Sequence, residues 1–368
     1  MRVDVAVVGG GIAGMSVAGE LARGGATVVL LEQEAQLAYH ASGRSAAAFL
    51  ESYGSAAIRA LTRASRPLFE VDGPPLLTPR PVLWLAPDDQ VERLERLLAA
   101  EPLLRAIDED GARRLLPMLT PGWARAAAIE PGARDLDVAG LFERYRRLAL
   151  DHGVTIRTRA RVREGEPSGG GWVLRTEAGD VEAGVVVDAA GAWADEVARA
   201  CGVEPVGLRP LRRTVAIVSC PEVVPDWPLV GDVGETFYFR PESGALLVSP
   251  ADETPTDPGD ARPATEDVAL ALERANEATT LKLRHVRTAW AGLRTFTPDR
   301  EPVVGFDPAY PSFFWLAGQG GYGMQTAPAM ALLAASLVRG DGLPGGLARE
   351  GVDPAPLSPA RLRPSPGA

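Results

Sequence analysis

The chain opens with the stretch Val3-Asp4-Val5-Ala6-Val7-Val8-Gly9-Gly10-Gly11-Ile12-Ala13-Gly14, and this stretch decides the fold class. Its apolar first half predicts a buried strand of a parallel sheet. Its second half matches the pattern G-x-G-x-x-G, and a helix-compatible run follows from Met15 to Arg23. A second apolar run, Thr27 to Leu31, ends at Glu32. A strand, glycine loop, helix, strand and acid within about 30 residues predict an α/β fold with a dinucleotide-binding unit.

Each glycine of this pattern has a separate physical task. Gly9 permits the tight turn, Gly11 lets the backbone approach a pyrophosphate, and Gly14 lets the helix pack on the strand. The helix N-terminus offers free N–H groups and partial positive charge to phosphates. The carboxylate of Glu32 suits a ribose diol. The predicted binding residues are Gly9, Gly11, Ile12, Ala13, Gly14, Glu32 and Gln33. A purely structural turn is the alternative.

Composition excludes several classes of function. The chain has 368 residues, and 46% of them are hydrophobic, which suffices for a substantial core in about two domains. The formal net charge of -10 argues against non-specific binding to nucleic acid or to an anionic membrane.

Cysteines and histidines predict neither a metal site nor a redox motif. Cys201 and Cys220 fit no zinc or redox spacing, and we interpret them as buried free thiols in a reducing compartment. The three histidines, His40, His152 and His285, are scattered. No apolar run approaches the roughly 18 residues of a membrane span, and no signal peptide pattern is present. We therefore expect a cytoplasmic protein without a transmembrane segment, for which peripheral membrane contact stays open.

Three further small-residue segments look like ligand contacts. The loop Ala41 to Ala47 follows the first unit, where a nicotinamide enzyme would normally continue with more βα units. Val185 to Trp193 reads as a buried strand that runs into a small-residue turn. Phe313 to Gln325 reads as a strand ending in a glycine-rich loop, and a helix-prone run from Thr326 to Leu337 follows it.

Motifs along nearly the whole chain resemble the FAD-dependent D-amino-acid oxidase superfamily, which includes glycine oxidase and sarcosine oxidase. Among its members, the bacterial D-arginine dehydrogenases are the most similar. The matching motifs are Tyr39-His40, Gly43-Arg44-Ser45-Ala46-Ala47, Tyr53-Gly54, Pro79-Arg80-Pro81, Ala189-Ala190-Gly191-Ala192-Trp193, Arg212-Arg213, Trp290-Ala291-Gly292-Leu293-Arg294 and Gln319-Gly320-Gly321-Tyr322-Gly323.

The resemblance implies non-covalently bound FAD and a chain of two interleaved domains. An FAD-binding, Rossmann-like domain would take residues 1–77, 136–205 and 290–368, and a mixed-sheet α+β substrate domain would take residues 78–135 and 206–289. Besides the first unit, the residues implied to bind FAD are Gly43, Arg44, Ser45, Ala46, Ala190, Gly191, Trp193, Gly292, Arg294, Gly318, Gly320, Gly321, Tyr322, Gly323, Met324 and Gln325.

Several segments carry predictions of local structure. Leu76 to Leu85 is strand-like, with Pro79 and Pro81 marking an irregular or edge start. Val91 to Ala100 is an amphipathic helix candidate, and Glu235 to Arg240 reads as a strand. The segment Arg161 to Thr176 is interrupted by three glycines, which predicts a hairpin-like pair of strands that extends from the domain. The segment after Gly340 is predicted to wrap the surface.

Arg294 is the strongest candidate for a substrate-binding residue. In a strand from Thr288 to Phe296, Arg294 shares one face with Trp290, Gly292 and Phe296. A guanidinium among apolar neighbours is costly without an anion, and its planar fork suits a substrate carboxylate. A structural salt bridge is the alternative. The resemblance agrees with the carboxylate, because the matching arginine binds it there.

The resemblance implies four further catalytic residues. Tyr238 would donate a second hydrogen bond to the carboxylate, and Arg213 would make a third contact, whereas the neighbouring Arg212 is expected to be solvated or structural. Tyr53 would belong to a mobile lid that excludes water. The Gly321 carbonyl would lie near the substrate amine, with Gln325 near the flavin or the substrate.

The implied reaction is hydride transfer from the substrate Cα to flavin N5. It would give an imino acid, which hydrolyses to a 2-oxo acid and ammonia. One alternative is a flavin oxidoreductase for another carboxylate-bearing amine or a 2-hydroxy acid, such as an N-substituted glycine or an intermediate of specialised metabolism. Another is a catalytically idle flavin-binding protein.

The sequence departs from the family pattern at the side-chain pocket. Basic-substrate members carry an acid where this chain has Val82, and His and Thr where it has Ala48 and Leu50. Burying a substrate cation beside Val82 and Leu50 would cost roughly several kcal/mol of free energy, because the charge would have no partner there. We therefore expect a D-amino acid with a non-basic, apolar side chain as the substrate, in a pocket of Ala48, Leu50, Val82 and Gln325.

The electron acceptor is either a quinone or other carrier, or O2. Sarcosine-oxidase relatives use a lysine near flavin N5 to activate oxygen, and the only lysine here is Lys282. We do not expect Lys282 over the flavin, which favours a dehydrogenase over an oxidase.

Overall fold

A computed structural model describes residues 1–46, 48–71 and 73–363. Ala47, which belongs to one of the family motifs, and the last five residues of the C-terminal segment lie outside the described residues.

The strands are β1 (Arg2–Val8), β2 (Val28–Leu31), β3 (Ala48–Phe49), β4 (Leu77–Pro79), β5 (Val82–Ala86), β6 (Arg105–Ile107), β7 (Ala126–Glu130), β8 (Arg134–Leu136), β9 (Thr155–Arg157), β10 (Val162–Ser168), β11 (Gly171–Thr176), β12 (Val181–Asp188), β13 (Arg209–Val218), β14 (Leu229–Asp232), β15 (Tyr238–Glu242), β16 (Ala245–Ser249), β17 (Thr254–Pro255), β18 (Val286–Phe296), β19 (Val303–Phe306) and β20 (Phe313–Ala317). The helices are α1 (Ile12–Arg23), α2 (Ala56–Phe69), α3 (Val91–Ala100), α4 (Glu109–Leu115), α5 (Val138–Asp151), α6 (Ala194–Ala200), α7 (Thr265–Ala278), α8 (Gly323–Arg339) and α9 (Gly345–Arg349).

The first sheet has parallel strands at its centre. Its order is β10-β11-β12-β1-β2-β9, and β20 pairs with both β12 and β19. β1 is parallel to β2 and β12, and it is buried on both faces. Val5 and Val7 enter the core that contains α1 and α8, whereas Ala6 and Val8 enter the core on the other face. This two-sided burial explains the continuous apolar run at the start of the chain.

The second sheet is mixed and mostly antiparallel. Its order is β17-β13-β16-β15-β14-β5-β7-β6, and β18 pairs with β13. Only β14 and β5 run parallel among the pairs of this sheet in the described residues. A small third sheet has the strand order β3-β8-β4. Along the chain, its strands come between strands of the two larger sheets. A Rossmann-like sheet combined with a mixed sheet is the predicted fold class.

Two strand predictions were wrong in detail. The strand predicted from Glu235 begins only at Tyr238, because Glu235 adopts a left-handed backbone with φ 55° inside a turn. The predicted strand Leu76 to Leu85 is two strands in different sheets, since the Pro79-Arg80-Pro81 motif separates β4 from β5.

Three other local predictions agree with the structure. The helix candidate at residues 91–100 is α3, and the hairpin-like segment at residues 161–176 is the antiparallel pair β10 and β11. The helix-prone run at residues 326–337 lies inside α8. The proposed domain boundary at residue 290 falls inside β18, which pairs with β13 along its whole length, so residues 286–296 share the second sheet.

Cysteine burial agrees with the sequence interpretation, since Cys201 and Cys220 are both buried free thiols. Within residues 1–46, 48–71 and 73–363, no cluster of histidine, cysteine and acidic side chains could hold a metal ion. No helix in that same part of the chain has the length and apolarity to cross a membrane.

The turn between β1 and α1 is held by backbone contacts at glycines. A Cβ atom at Gly14 would lie 1.9 Å from the carbonyl oxygen of Gly9. Gly9 itself has φ 110°, and its Cβ would lie 2.5 Å from the carbonyl oxygen of Ala189 on the turn after β12. Backbone atoms cannot rotate away as side chains can, so these positions require glycine.

We expect Gly14→Ala to destabilise the fold, because the methyl group must force α1 away from β1. Overpacking of this kind costs about 1–3 kcal/mol, and a backbone clash lies at the upper end. Thermal unfolding of the purified protein measures the loss. Gly132→Ala is the matched control, since a Cβ at Gly132 meets nothing within 4 Å. Equal melting temperatures for the two variants would contradict the steric explanation.

Candidate active site

The two large sheets border one long cleft with a cavity volume of about 470 Å³. The glycine loop after β1 lies at one end, and Arg294 on β18 lies at the other. The cleft brings together most of the predicted residues, which are Gly9, Gly11, Ile12, Ala13, Glu32, Gln33, Arg44, Ser45, Ala46, Ala48, Leu50, Tyr53, Ala190, Gly191, Trp193, Arg213, Tyr238, Gly292, Arg294, Gly320, Gly321, Gly323, Met324 and Gln325.

Five predicted residues do not line the cleft. Gly14 and Gly43 allow close packing of the backbone next to the cleft, since a Cβ on either residue would clash with a backbone carbonyl. Gly318 adopts φ 74° against Thr297, and the ring of Tyr322 lies 4.9 Å from that of Tyr53. The structure buries the fifth, Val82, completely behind the pocket wall.

Glu32 closes the glycine loop from the side of β2. Its Oε2 accepts a hydrogen bond from the Gly10 N–H at 2.7 Å, and its Oε1 accepts one from the Glu34 N–H at 2.8 Å. The carboxylate is 8% exposed, and that exposure is to the cleft. An acid with free lone pairs at the end of β2 matches the expected contact with a ribose diol.

The N-terminus of α1 faces the cleft without a side-chain cap of its own. The hydroxyl oxygen of Ser42 accepts a hydrogen bond from the Ile12 N–H at 2.9 Å. Ser42 therefore stands where an anion would meet the helix end. The sequence predicted that the backbone of this loop approaches a ligand closely, but it did not predict a role for the Ser42 hydroxyl.

His40 and Trp193 form a wall at the same end, with ring centroids 4.4 Å apart. The His40 Nε2 lies 2.9 Å from a Glu34 carboxylate oxygen, which fixes the ring. His40 belongs to the family motif Tyr39-His40, but this packing role was not predicted from the sequence. Trp193, which follows the predicted turn Ala189 to Ala192, is the residue of this wall that was predicted to contact the cofactor.

Arg44 ties the loop after β2 to the second sheet. Its Nη1 donates to the carbonyl oxygens of Ala261 at 2.9 Å and Ala291 at 3.1 Å, and its Nη2 pairs with Asp260. The Trp290 indole N–H donates back to the Arg44 carbonyl at 3.0 Å. The Arg44 side chain lines the cleft while holding its two borders together, and direct contact with the cofactor stays a prediction.

The far end of the cleft holds two guanidinium groups, of which Arg213 is buried and Arg294 is half-buried. Arg213 donates from Nε to the Asp252 carbonyl at 2.8 Å and lies 3.5 Å from a Glu253 oxygen. Arg294 has no carboxylate partner among the described residues, and Tyr53, Tyr238 and Tyr322 lie near it. Burial, and then the nearby Arg294, lowers the pKa of Arg213. An anion between these two groups would relieve both effects.

The proposed tyrosines stand on opposite borders of this end. Tyr238 begins β15, and Tyr53 lies in the turn between β3 and α2. Burial raises the pKa of Tyr53, so its hydroxyl is a neutral donor at physiological pH. Gly321 lies against the Arg294 guanidinium, since a Cβ there would be 2.8 Å from Nη1.

The pocket beside these groups is apolar. Leu50, Val82, Ala133 and Leu229 are buried together, and Ala48, Tyr53, Trp84 and Tyr238 pack against them. Ala48, Leu50 and Val82 are three of the four positions predicted to form this pocket, and Val82 stands behind its wall rather than lining it. Trp84 and Leu229 were missed, because only the pairing of β5 with β14 brings them to it.

We call residues 50–55 the lid segment, and each of them is held by a partner elsewhere. Gln325 accepts from the Leu50 N–H at 3.2 Å, so it contacts the segment rather than only facing the cleft. Three hydroxyl groups of the segment donate to carboxylates. The pairs are Ser52 with Glu130 at 2.6 Å, Tyr53 with Glu235 at 3.2 Å and Ser55 with Glu301 at 2.8 Å.

Comparison with known proteins identifies the nucleotide. The family profile described as FAD dependent oxidoreductase matches residues 4–337. Glycine oxidase from Pseudomonas aeruginosa is 27% identical over 98% of this chain and 99% of its own length. The crystal structure of glycine oxidase from Geobacillus kaustophilus has a TM-score of 0.84 at 26% identity and covers 100% of both chains.

Some relatives extend well beyond this chain. Mitochondrial dimethylglycine dehydrogenase from Rattus norvegicus is 25% identical over 88% of this chain, but the alignment covers 41% of its length. The alignment with FAD-dependent oxidoreductase domain-containing protein 1 from Bos taurus covers 36% of that protein. The chain thus spans less than half of these two proteins and almost all of the glycine oxidase.

We expect Glu32→Ala to weaken FAD binding, because it removes the ribose acceptor and leaves the Gly10 N–H unpaired. Hydrogen bonds to a charged group are worth about 1.5–3 kcal/mol, so the Kd for FAD should rise roughly 10- to 100-fold. Flavin fluorescence titration of the apoprotein measures it. Glu182→Ala, an exposed acid at the far end of β12, is the control. An unchanged Kd in Glu32→Ala would contradict the assignment.

Proposed function

Because the chain belongs to the FAD dependent oxidoreductase family, we propose that it oxidises D-amino acids with apolar side chains at the Cα–N bond. The substrate loses a hydride from Cα and a proton from its amine, and the resulting imino acid hydrolyses to a 2-oxo acid and ammonia. When bound, FAD supplies the oxidant that accepts the hydride at N5. The protein supplies binding, orientation and exclusion of water.

The observation that carries this proposal is the unpaired Arg294 guanidinium at the end of the cleft. A half-buried cation without an acid among the described residues is costly unless an anion pairs with it. The fork of Arg294 can take both oxygens of a carboxylate, and Tyr238 can donate its hydroxyl to it, whereas the Tyr53 hydroxyl already donates to Glu235. Arg213 has part of its fork engaged by Asp252, so it can add one further N–H.

The apolar cluster next to the guanidinium groups supports the proposed side chain. Leu50 and Leu229 leave no counter-charge for a substrate cation at this wall. Glu235 lies at the border of the cleft, but its carboxylate accepts the Tyr53 hydroxyl and is 3.7 Å from Arg93. The D configuration rests on the resemblance of the motifs.

A second candidate is an N-substituted glycine or a 2-hydroxy acid. The carboxylate clamp would hold such substrates equally well, because it does not contact the amine. The similarity to a dimethylglycine dehydrogenase over 88% of this chain favours the N-substituted glycine.

We expect D-leucine, D-methionine and D-phenylalanine to bleach the flavin of the anaerobic holoenzyme faster than D-arginine or D-lysine. The physical reason is the desolvation cost of a cation against an apolar wall. The measurement is the absorbance of bound flavin after mixing with D-amino acids, L-amino acids, N-methyl amino acids and 2-hydroxy acids. Faster bleaching by D-arginine than by D-leucine would overturn the apolar substrate.

We expect Arg294→Met to lower kcat/KM by about 100-fold, since it removes charged hydrogen bonds worth roughly 3 kcal/mol in total. Stopped-flow flavin reduction with the best substrate measures the change. Arg287→Met is the matched control, because Arg287 lies on the same strand, is exposed and donates to Ser219 outside the cleft. Similar values for both variants would refute the carboxylate clamp.

We expect electrons to leave through a carrier such as a quinone rather than through O2. The only lysine, Lys282, is exposed and is not among the residues that line the cleft. Reduced enzyme mixed with air-saturated buffer should therefore reoxidise far more slowly than with a soluble quinone analogue. Reoxidation by air as fast as substrate turnover would assign an oxidase instead.

A further inference from the structure

Glu130 is a buried acid next to the substrate pocket that the reaction itself does not use. It ends β7 directly opposite Val82 of β5. Directly paired residues of antiparallel strands point to the same face, so Glu130 faces the side where the apolar cluster lies. It is 2% exposed and does not line the cleft.

Both oxygens of this carboxylate contact one residue of the lid segment. The Ser52 hydroxyl donates to Oε2 at 2.6 Å, and the Ser52 N–H donates to Oε1 at 3.4 Å. Ser52 is itself only 6% exposed. The contact therefore joins the second sheet to the lid segment in a place that water does not reach.

The surroundings of Glu130 provide no cation among the described residues. Burial raises the pKa of Glu130, the two Ser52 contacts lower it, and the charge of Glu51 raises it. The indole N–H of Trp84 also lies near enough to favour the ionised form, although its Nε1 makes no hydrogen bond of good geometry within the described residues. Trp84 is part of the pocket wall.

A buried carboxylate without a cation is expensive, and its two nearest polar partners are the lid and the pocket wall. Ser52 lies between Leu50, which forms part of the apolar pocket, and Tyr53, which faces Arg294. A shift of Ser52 would move both of these side chains, so the position of Ser52 sets the shape of the pocket.

We propose that Glu130 is a positioning residue that holds the lid segment closed over the substrate side chain, and that it thereby sets the preference for large apolar side chains. Glu130 does not touch the substrate in this arrangement. It acts through Ser52 on Leu50 and Tyr53. The proposal rests on the proposed function, since it assumes that the apolar pocket receives the side chain of an amino acid.

The test compares FAD-loaded Glu130→Ala, Ser52→Ala and Glu130→Gln with Glu301→Ala. Glu301 accepts the Ser55 hydroxyl at the other end of the lid segment, so its variant removes the charge of a similar pair away from the pocket. Glutamine at position 130 keeps an oxygen that can accept the Ser52 hydroxyl and should largely rescue the alanine variant. That rescue also guards against a variant that fails to fold.

We expect Glu130→Ala and Ser52→Ala to raise the KM for D-leucine about 10-fold, the usual effect of losing one buried hydrogen bond. The KM for glycine, which has no side chain to enclose, and the flavin reduction rate at saturating D-leucine should change by less than about 2-fold. Equal changes for D-leucine and glycine, or an equal effect of Glu301→Ala, would overturn the proposal.

Hydrogen exchange of the substrate-free holoenzyme separates this proposal from the proposed function. We expect amides of residues 50–55 to exchange at least several-fold faster in Glu130→Ala and Ser52→Ala, but not in Glu130→Gln. If no amino acid bleaches the wild-type flavin, the proposed function fails, and exchange alone decides the role of Glu130. Unchanged exchange in both alanine variants would overturn that role whatever the substrate.

Discussion

The close contact between α1 and the turn at Gly9 is the constraint on which the rest of the structure depends. The 1.9 Å that a Cβ at Gly14 would leave to the Gly9 carbonyl means that helix and turn touch through backbone alone. The position of the helix N-terminus is thereby fixed against the central strand, and Glu32 fixes the loop from the next strand through the Gly10 N–H. This end of the cleft is built from backbone and is therefore rigid. The positions of the other cleft residues can be described relative to it.

The opposite end of the cleft is organised by charge rather than by steric contact. Arg213 and Arg294 lie close enough for the second to lower the pKa of the first, and of the two only Arg213 has a carboxylate nearby among the described residues. Folding therefore leaves a positive potential that no side chain of the described residues neutralises at Arg294. Such a site lowers the stability of the folded protein. An enzyme retains it where the binding of an anionic ligand offsets this loss. One end of the cleft is thus organised by backbone contact, and the other by charge.

The first unit could be predicted from sequence because its determinants are local: a strand, three glycines and an acid within one stretch. Arg294 could be predicted because strand alternation placed a charge on an apolar face. Ser42, Trp84 and Glu130 could not, since each depends on the register of strands or loops that are distant in sequence. Glu235 was misread as a strand residue because a left-handed φ in a non-glycine residue leaves no compositional signal.

The position of Glu130 places an acid near the pocket without lining the cleft. In basic-substrate relatives, the acid at the position of Val82 is implied to meet the substrate cation. In this chain the carboxylate stands one strand away, at Glu130, on the same face of the sheet but turned to Ser52. Because Ser52 and the apolar cluster separate it from the cleft, it cannot compensate a substrate charge without a large rearrangement. In its proposed role, Glu130 acts on the shape of the pocket through Ser52, and selectivity depends on the fit of an apolar side chain beneath the lid segment.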